Sequence, residues 1–198
     1  MSIEIFPVSR KILVEYEKIP ISFTVDSKYE IKIVDSGLGG FIWQKIRVSP
    51  PYVKDYDAEE KPSDWLKIFK MDNWRVFFWI ENKEVRGGAV VVANYPEVHL
   101  LDGRADLALL WDIRVKPEYR SGGAGTRLFQ YAAIWAKQHG CTQLKIETQN
   151  TNVPACEFYV HQGCELGEIN FHKYINSKFS RDDIMLCFYL DLLKYETG

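Results

Sequence analysis

The 198-residue sequence predicts a mixed α/β fold, built as a single domain over residues 1–198. Strand-like apolar runs alternate with amphipathic helical stretches in the second half of the chain. One of these runs leads through a glycine-rich turn directly into a helix, a connection typical of folds in which helices cover a sheet. The composition, 46% hydrophobic and 14% aromatic, suits one well-filled core, and no sequence repeat or linker divides the chain.

The first part of the chain contains three predicted strands, over residues 12–19, 29–34 and 41–48, where apolar and aromatic residues are frequent. The glycines within residues 37–40 predict a turn between the second and third strands. Residues 49–63 form a proline-rich, acidic connection. Ser63 or Asp64 then caps a predicted short helix that continues to Met71.

The second part begins with a predicted hairpin, formed by strands 74–81 and 88–95 around a turn at residues 82–84. A strand over 107–115 is followed by a helix over 124–138. Apolar residues recur along that helix at helical spacing, at Leu128, Phe129, Ala132, Ala133 and Ala136. A strand over 143–149, a helix over 153–162 and strands over 165–174 and 184–192 complete the prediction.

Charge, hydropathy and cysteine spacing narrow the possible function classes. The net charge is −2, and no basic block indicates nucleic-acid binding. No apolar run reaches the roughly 18 residues needed to cross a membrane, and the first residues lack a signal-peptide core, so we expect a cytoplasmic protein without membrane contact. No metal site is predicted, and buried free thiols are expected rather than a disulfide at Cys141, Cys156, Cys164 and Cys187.

The most informative segment is the glycine-rich turn before helix 124–138, with Arg120 at its start. Unpaired N–H groups and the helix dipole make such a turn suitable for a phosphate or pyrophosphate. Glycine allows positive φ and close approach of an anion, and the guanidinium adds a forked donor. P-loop and Rossmann motifs are absent. The alternative is a tight strand-to-helix connection without a ligand.

Two motifs carry a resemblance to a known family. The R-x-x-G-x-G spacing of Arg120, Gly123 and Gly125 resembles the pyrophosphate-binding motif of the Gcn5-related N-acetyltransferases (GNAT). Farther along, the family pattern N-x-x-A-x-x-F-Y is matched by Asn152, Ala155, Phe158 and Tyr159.

The resemblance covers roughly residues 75–192. Gly163 matches the family's helix-closing glycine, although Cys164 replaces the usual Phe. Within the family, the segments ETQNTN, ACEFY, DIMLCFYLDL and PPYVKDYD look most like streptothricin-acetyltransferase-type enzymes.

The resemblance implies a central, mostly antiparallel twisted sheet, splayed at an acetyl-CoA site and flanked by helices. It also implies that acetyl-CoA is the cosubstrate. The pyrophosphate is expected on the amides of the turn, and the pantetheine and acetyl oxygen on the backbone of a bulged strand. The expected cofactor-binding residues are Ile113, Val115, Arg120, Ser121, Gly122, Gly123, Ala124, Gly125, Thr126 and Asn152.

Three residues are expected to be catalytic: Glu147, Tyr159 and Asp112. Tyr159 matches the family's catalytic tyrosine and is the candidate general acid, since a phenol with a pKa of about 10 is protonated at neutral pH. The alternative is that this tyrosine merely packs beside Phe158.

Glu147 is the preferred base because the same spacing places the base in ribosomal-protein N-terminal acetyltransferases of the superfamily. Many members carry a proton-relaying Glu where this chain has Trp111. Asp112, next to it, is therefore expected to anchor the substrate ammonium or to serve as a second base. The alternative for Asp112 is an ion pair with Arg114 or with a lysine.

The acceptor is expected to be an ammonium before it is deprotonated. Acidic and aromatic residues suited to such a ligand lie in the connection before the first predicted helix, although a solvated acidic loop is equally compatible. They are Tyr52, Asp55, Tyr56, Asp57, Glu59 and Glu60.

The expected function is acetyl-CoA-dependent acetylation of a primary amine on a small molecule, with the β-lysine moiety of a streptothricin-like antibiotic as one candidate. The alternatives are a protein or peptide N-acetyltransferase and a non-catalytic CoA-binding sensor or adaptor. A monomer or a homodimer is expected, with no nucleic-acid partner.

Overall fold

The computed structural model describes residues 2–196. The chain forms two compact units. The first contains the residues up to Ile21, Asp55–Ile146 and the residues from Tyr189 onward, and the second contains Ser22–Lys54 and Glu147–Phe188.

The strands are β1 (Ser2–Pro7), β2 (Phe23–Ile33), β3 (Phe41–Lys54), β4 (Trp74–Glu81), β5 (Glu84–Ala93), β6 (Leu107–Val115), β7 (Gln143–Gln149), β8 (Glu165–Asn170) and β9 (Met185–Asp191). The helices are α1 (Arg10–Tyr16), α2 (Ala124–Gln138) and α3 (Val153–His161).

The sheet of the first unit follows the order β1-β4-β5-β6-β7-β9. The pairs β1/β4, β4/β5 and β5/β6 are antiparallel, and β6/β7 is parallel. The parallel pairing joins Leu107–Leu110 to Gln143–Ile146, whereas the pairing of β6 with β5 continues to Val115. The predicted mixed α/β class with a mostly antiparallel sheet is therefore confirmed.

Both faces of this sheet are covered by helices. On one face α2 contributes a buried apolar stripe, and its Trp135 meets Phe77 of β4 at 6.4 Å between ring centroids. On the other face Tyr16 of α1 packs on Phe78 at 6.0 Å. The helical stripe predicted for residues 124–138 is confirmed, since Leu128, Phe129, Ala132, Ala133 and Ala136 are all buried.

The second unit contains the β2–β3 ladder, α3, β8 and the ends of β7 and β9. The antiparallel ladder runs from Phe23↔Lys54 to Ile33↔Phe41, with a register shift between Val25 and Ser27. Backbone and side-chain bonds of 2.9 Å join Tyr29 of β2 to Asn150. Lys54, at the end of β3, forms a buried ion pair with Asp183.

The predicted strand over residues 12–19 is wrong, because this segment contains most of α1. The Ser9 hydroxyl accepts a hydrogen bond from the Ile12 amide at 3.3 Å and so caps the helix. Leu13 and Tyr16, three residues apart, then bury one helical face. The short length of the segment left helix and strand hard to separate by periodicity alone.

Other predicted elements differ mainly in length. β3 extends through Pro50 and Pro51 into the predicted acidic connection. The predicted helix up to Met71 is a 3₁₀ segment at Pro62–Lys67. The hairpin between β4 and β5 is confirmed, with Asn82 and Lys83 at positive φ as in a tight turn. The predicted strand 165–174 ends at Asn170.

All four cysteines are buried and free, as the sequence predicts. Burial raises the pKa of Cys156 and of Cys164 to about 12. Across residues 2–196, none of the helices is both long and apolar enough to traverse a lipid bilayer.

Candidate active site

The glycine-rich turn leads directly from β6 into α2. Ser121 and Gly123 have φ angles of 63° and 80°, and α2 begins at Ala124 after an N-cap residue, Gly123, that provides no capping side chain. A Cβ atom added at Gly123 would meet nothing within 4 Å, so the backbone conformation, rather than crowding, favours glycine there. The turn therefore leads into a helix start with no capping side chain at its N-cap and with open space beside Gly123, a geometry that fits a pyrophosphate.

Arg120 lies immediately before this turn. Its Nε donates to the carbonyl oxygen of Val115 at 2.9 Å, and Nη2 lies 3.3 Å from the carbonyl oxygen of Pro20. The guanidinium thus ties the end of β6 to the start of the turn. Its assistance in binding a pyrophosphate stays a prediction.

A bulge interrupts the ladder between β5 and β6. Val90 pairs with Asp112 and Val91 pairs with Leu110, so Trp111 is the extra residue on β6. A bulge bends the strand and leaves backbone groups outside the regular ladder. This is the kind of distortion that the sequence resemblance implied for the strand preceding the turn.

The Trp111 indole packs among aromatic residues of the first unit. Its ring centroid lies 5.0 Å from Trp74, 5.3 Å from Phe69 and 6.0 Å from Trp65, in edge-to-face geometry. Such contacts are favourable for buried aromatic pairs. The position at which many family members carry a proton-relaying Glu is therefore part of an apolar cluster in this chain.

Asp112 is held by Arg114. The guanidinium Nε and Nη2 donate to the two carboxylate oxygens of Asp112, each at 2.9 Å. The Arg114 side chain is only 1% exposed and that of Asp112 only 7%. Although burial alone would lower the pKa of Arg114, the charge of Asp112 and its hydrogen bonds raise that pKa above its ordinary value. The ion pair that sequence reasoning kept as the alternative for Asp112 is present.

The same guanidinium reaches the acidic connection. Nη1 of Arg114 donates to Oδ2 of Asp57 at 2.8 Å. Oδ1 of Asp57 is shielded from solvent and has no hydrogen-bond partner among residues 2–196. Burial raises the pKa of Asp57, and the bond from Arg114 offsets only part of this effect. Two carboxylates thus share one guanidinium.

In the second unit, Glu147 lies on β7 and is half-buried. Its Oε1 accepts a hydrogen bond from the Tyr174 hydroxyl and lies 3.4 Å from Nε2 of Gln149. Gln149 in turn donates to the Tyr174 hydroxyl at 3.0 Å. Two neutral donors thus orient the carboxylate that is expected to act as the base.

Tyr159 and Asn152 belong to α3. Tyr159 is 6% exposed, and its ring packs against Phe158 at 5.4 Å and Phe188 at 6.0 Å. Asn152 caps the helix, since its Oδ1 accepts from the Ala155 amide at 3.3 Å. Gly163, at a φ of 87°, follows the helix end, as its motif position predicts. The general-acid role of Tyr159 and the cofactor contact of Asn152 stay predictions.

Sequence reasoning missed two groups of partners. Tyr16 bonds Asp112 across 96 sequence positions, and Tyr174 bonds Glu147 from a segment predicted as strand. Neither has a local sequence signal. A buried carboxylate needs donors, however, and that rule alone predicts partners of this type without identifying them.

Comparison with known proteins gives a consistent result. Residues 42–164 match the model of the acetyltransferase (GNAT) family. A streptothricin acetyltransferase of Escherichia coli is 36% identical over 152 residues, which cover 77% of this chain and 75% of that protein.

Two solved structures share the fold. A nourseothricin acetyltransferase superimposes with a TM-score of 0.74 at 22% identity, covering 97% of this chain and 99% of the other. A protein of Bacillus anthracis str. Ames, proposed to be a streptothricin acetyltransferase and solved in complex with acetyl coenzyme A, superimposes with a TM-score of 0.72 at 25% identity, covering 96% and 98%.

Proposed function

Because the chain belongs to the acetyltransferase (GNAT) family, we propose that it transfers the acetyl group of acetyl-CoA to a primary amine of a streptothricin-like antibiotic. The observation that carries the reaction class is the bulged β6 strand leading through a glycine turn into the uncapped start of α2. The 36% identity to a streptothricin acetyltransferase supports the acceptor class.

Acetyl-CoA, when bound, supplies the acetyl group as a thioester. The residues proposed to bind it are those of the turn and the first turn of α2, where backbone N–H groups at a helix start suit a pyrophosphate: Arg120, Ser121, Gly122, Gly123, Ala124, Gly125 and Thr126. Ile113 and Val115 are proposed to contribute backbone groups after the bulge, and Asn152 is proposed as a further contact. Anchoring the cofactor in this way holds the thioester in one orientation for attack.

We assign the base to Glu147. Its carboxylate accepts the proton that the acceptor ammonium must lose before the nitrogen can attack. The bonds from Tyr174 and Gln149 to Oε1 support a fixed orientation of the carboxylate that is proposed to accept this proton. The buried pairing of Asp112 with Arg114 supports giving Asp112 a positioning role and Glu147 the proton transfer.

We assign the acid to Tyr159, whose hydroxyl gives its proton to the departing thiolate. Over the whole reaction an acceptor ammonium loses two protons: one ends on the free thiol and the other in solvent. The phenol regains its proton before the next turnover. The packing of the ring between Phe158 and Phe188 supports a fixed hydroxyl position.

The acidic connection is proposed to attract the cationic acceptor. Asp57 shares the guanidinium of Arg114 with Asp112, and Asp55 and Glu59 lie beside it in sequence. Carboxylates near the acceptor raise the local concentration of an ammonium ligand.

An acceptor panel tests this function. The panel contains streptothricin, free lysine, a polyamine and peptides with free N-termini, and turnover is scored by release of free CoA thiol. We expect streptothricin to give the highest kcat/KM. Preferential turnover of the peptides would move the function to the protein-acetylating class, and binding of acetyl-CoA without turnover of any amine would indicate a sensor.

A further inference from the structure

Tyr16, at the end of α1, bridges the two strands that flank the bulge. The residue is completely buried, and its hydroxyl donates to Oδ1 of Asp112 on β6 at 2.6 Å. The carbonyl oxygen of Gly88 on β5 lies 3.3 Å from the same hydroxyl. One phenol therefore contacts both strands directly after the bulge at Trp111.

The fit of this ring on β5 requires glycine at position 88. A Cβ atom there would lie 2.7 Å from Cε2 of Tyr16 and 2.8 Å from the carbonyl oxygen of Phe77. The Tyr16 ring therefore packs directly on the backbone of β5, and no space remains there for a side chain at position 88. The position of the hydroxyl is consequently set by β5 as well as by α1.

The hydroxyl completes the set of donors around Asp112. Arg114 bonds both carboxylate oxygens, and its guanidinium carbon lies 5.1 Å from the centroid of the Tyr16 ring. Burial, followed by the charge of Asp112, raises the pKa of Tyr16 well above its ordinary value. The raised pKa favours the neutral phenol, the form that donates to the carboxylate of Asp112.

After the bulge, residues whose side chains are held by hydrogen bonds alternate along β6 with residues whose backbone is proposed to contact acetyl-CoA. Asp112 and Arg114 are fixed by side-chain bonds, and between and after them lie Ile113 and Val115. A bulge allows a strand to bend, so the direction of the segment that follows depends on what holds it. Here the holding contacts are those of Tyr16 and Arg114 with Asp112.

We propose that Tyr16 is a positioning residue for acetyl transfer: by holding Asp112, its hydroxyl sets the backbone of Ile113 and Val115 against the thioester. This inference rests on the proposed function, because the two backbone contacts belong to it. Tyr16 acts through Asp112 and touches neither cofactor nor acceptor.

The first test is Tyr16→Phe, which keeps the ring and removes only the hydroxyl. We expect kcat to fall by about tenfold, since small misplacements of reacting groups cost up to about 100-fold. The KM for acetyl-CoA should change by less than about twofold, because the pyrophosphate turn is intact. The proposal would be overturned if kcat/KM fell about tenfold while kcat stayed unchanged, so that the whole loss lay in the KM for acetyl-CoA.

The second readout needs no acceptor. The stretching frequency of a ¹³C-labelled acetyl carbonyl, measured by infrared difference spectroscopy on bound acetyl-CoA, reports hydrogen bonds to the thioester oxygen. Tyr16→Phe should shift this frequency toward that of free acetyl-CoA. An unshifted band in a folded variant that binds acetyl-CoA normally would refute the positioning role.

The matched control is Tyr95→Phe. The Tyr95 hydroxyl also donates to a carboxylate, Oε2 of Glu97 at 2.7 Å, and accepts from the Lys70 amide at 3.0 Å. Its removal should lower the melting temperature without changing kcat or the carbonyl band. A control variant that loses as much kcat as Tyr16→Phe would show a general effect of lost stability.

Replacement of Tyr16 by 4-aminophenylalanine restores a donor at the same place and should recover most of the kcat. If Tyr16→Phe does not fold, this variant provides the test. The proposal is rejected if the labelled acetyl carbonyl of bound acetyl-CoA does not show the wild-type frequency in the variant with the restored donor. A different outcome would contradict the proposed function and leave the Tyr16 result intact. In it, the wild-type protein shifts the carbonyl frequency of bound acetyl-CoA away from that of free acetyl-CoA but acetylates no amine.

Discussion

Arg114 and Asp112, two positions apart on β6, are joined by two parallel hydrogen bonds of 2.9 Å. A bidentate pair of this kind occupies both oxygens of the carboxylate. Removing Asp112 would leave the buried guanidinium of Arg114 with only its bond to the carboxylate of Asp57. Both oxygens of Asp112 are therefore bonded within β6, and this pairing supports the proposal that Glu147 rather than Asp112 transfers the proton.

Asp112→Asn should destabilise the protein by about 3 kcal/mol, because the Arg114 guanidinium loses its main counter-charge inside the core. Urea denaturation measures this loss. The remaining activity should keep the pH dependence of the wild type. A variant as stable as the wild type that has lost its pH dependence would make Asp112 the base.

Glu147→Gln should lower kcat by about 100-fold or more, the usual contribution of a positioned general base. The dissociation constant of acetyl-CoA, measured by calorimetry, should remain unchanged. Glu165→Gln, on the exposed part of β8, is the control and should keep full activity. A Glu147→Gln enzyme with the wild-type pH profile would remove the residue from proton transfer.

Tyr159→Phe keeps the contacts of the ring with Phe158 and Phe188 and removes the hydroxyl. The loss should appear in kcat, with little effect on acetyl-CoA affinity or melting temperature. The loss should shrink for an acyl donor with a more acidic thiol, since that leaving group needs less protonation. Turnover like that of the wild type at saturating acetyl-CoA would mean that Tyr159 only packs.

Gly123→Ala should weaken acetyl-CoA binding by about tenfold or more, equivalent to about 1.4 kcal/mol. Its methyl group would fill the space beside the turn and oppose a φ of 80°. Gly140→Ala is a closely matched control, because Gly140 has a φ of 82° and equally open surroundings beyond the end of α2. Calorimetry should show a loss of affinity only at position 123, and equal affinities would argue against the pyrophosphate assignment.

Asp57→Asn tests the acidic connection. An asparagine keeps one oxygen for Arg114, and Asp112 still balances the guanidinium, so the free energy of unfolding should change by less than about 1 kcal/mol. The KM for a cationic amine should rise, with the KM for acetyl-CoA unchanged. A large loss of stability together with an unchanged amine KM would make Asp57 a structural residue.

The sequence predicted best those elements whose pattern was long and bounded by clear signals. β4, β6, α2 and β7 begin and end at the residues predicted, because apolar periodicity and flanking turn residues agree there. For α1, apolar periodicity did not distinguish helix from strand, and the segment is a helix that Ser9 caps. β1 (Ser2–Pro7) was missed because a six-residue edge strand has little pattern of its own.

The local geometry of the glycine-rich turn was predicted from its motif, whereas the roles of the site residues stay predictions. The positive φ of Gly123 and the start of α2 at Ala124 follow directly from the glycine spacing. The partners of Asp112 and Glu147 were not predictable in the same way. Tyr16 lies 96 positions from Asp112 and Tyr174 lies 27 positions from Glu147, so only the tertiary fold brings these side chains together. Residue spacing along the sequence does not predict such contacts.

The proposed reaction is acetyl transfer to a primary amine of a streptothricin-like molecule. Mass spectrometry of streptothricin incubated with the protein and acetyl-CoA, followed by fragmentation, tests it most directly. We expect one added acetyl group on a primary amine of the β-lysine moiety, formed in step with free CoA thiol and absent when Glu147→Gln replaces the wild type. Unmodified streptothricin, recovered from a preparation that binds acetyl-CoA, would contradict it.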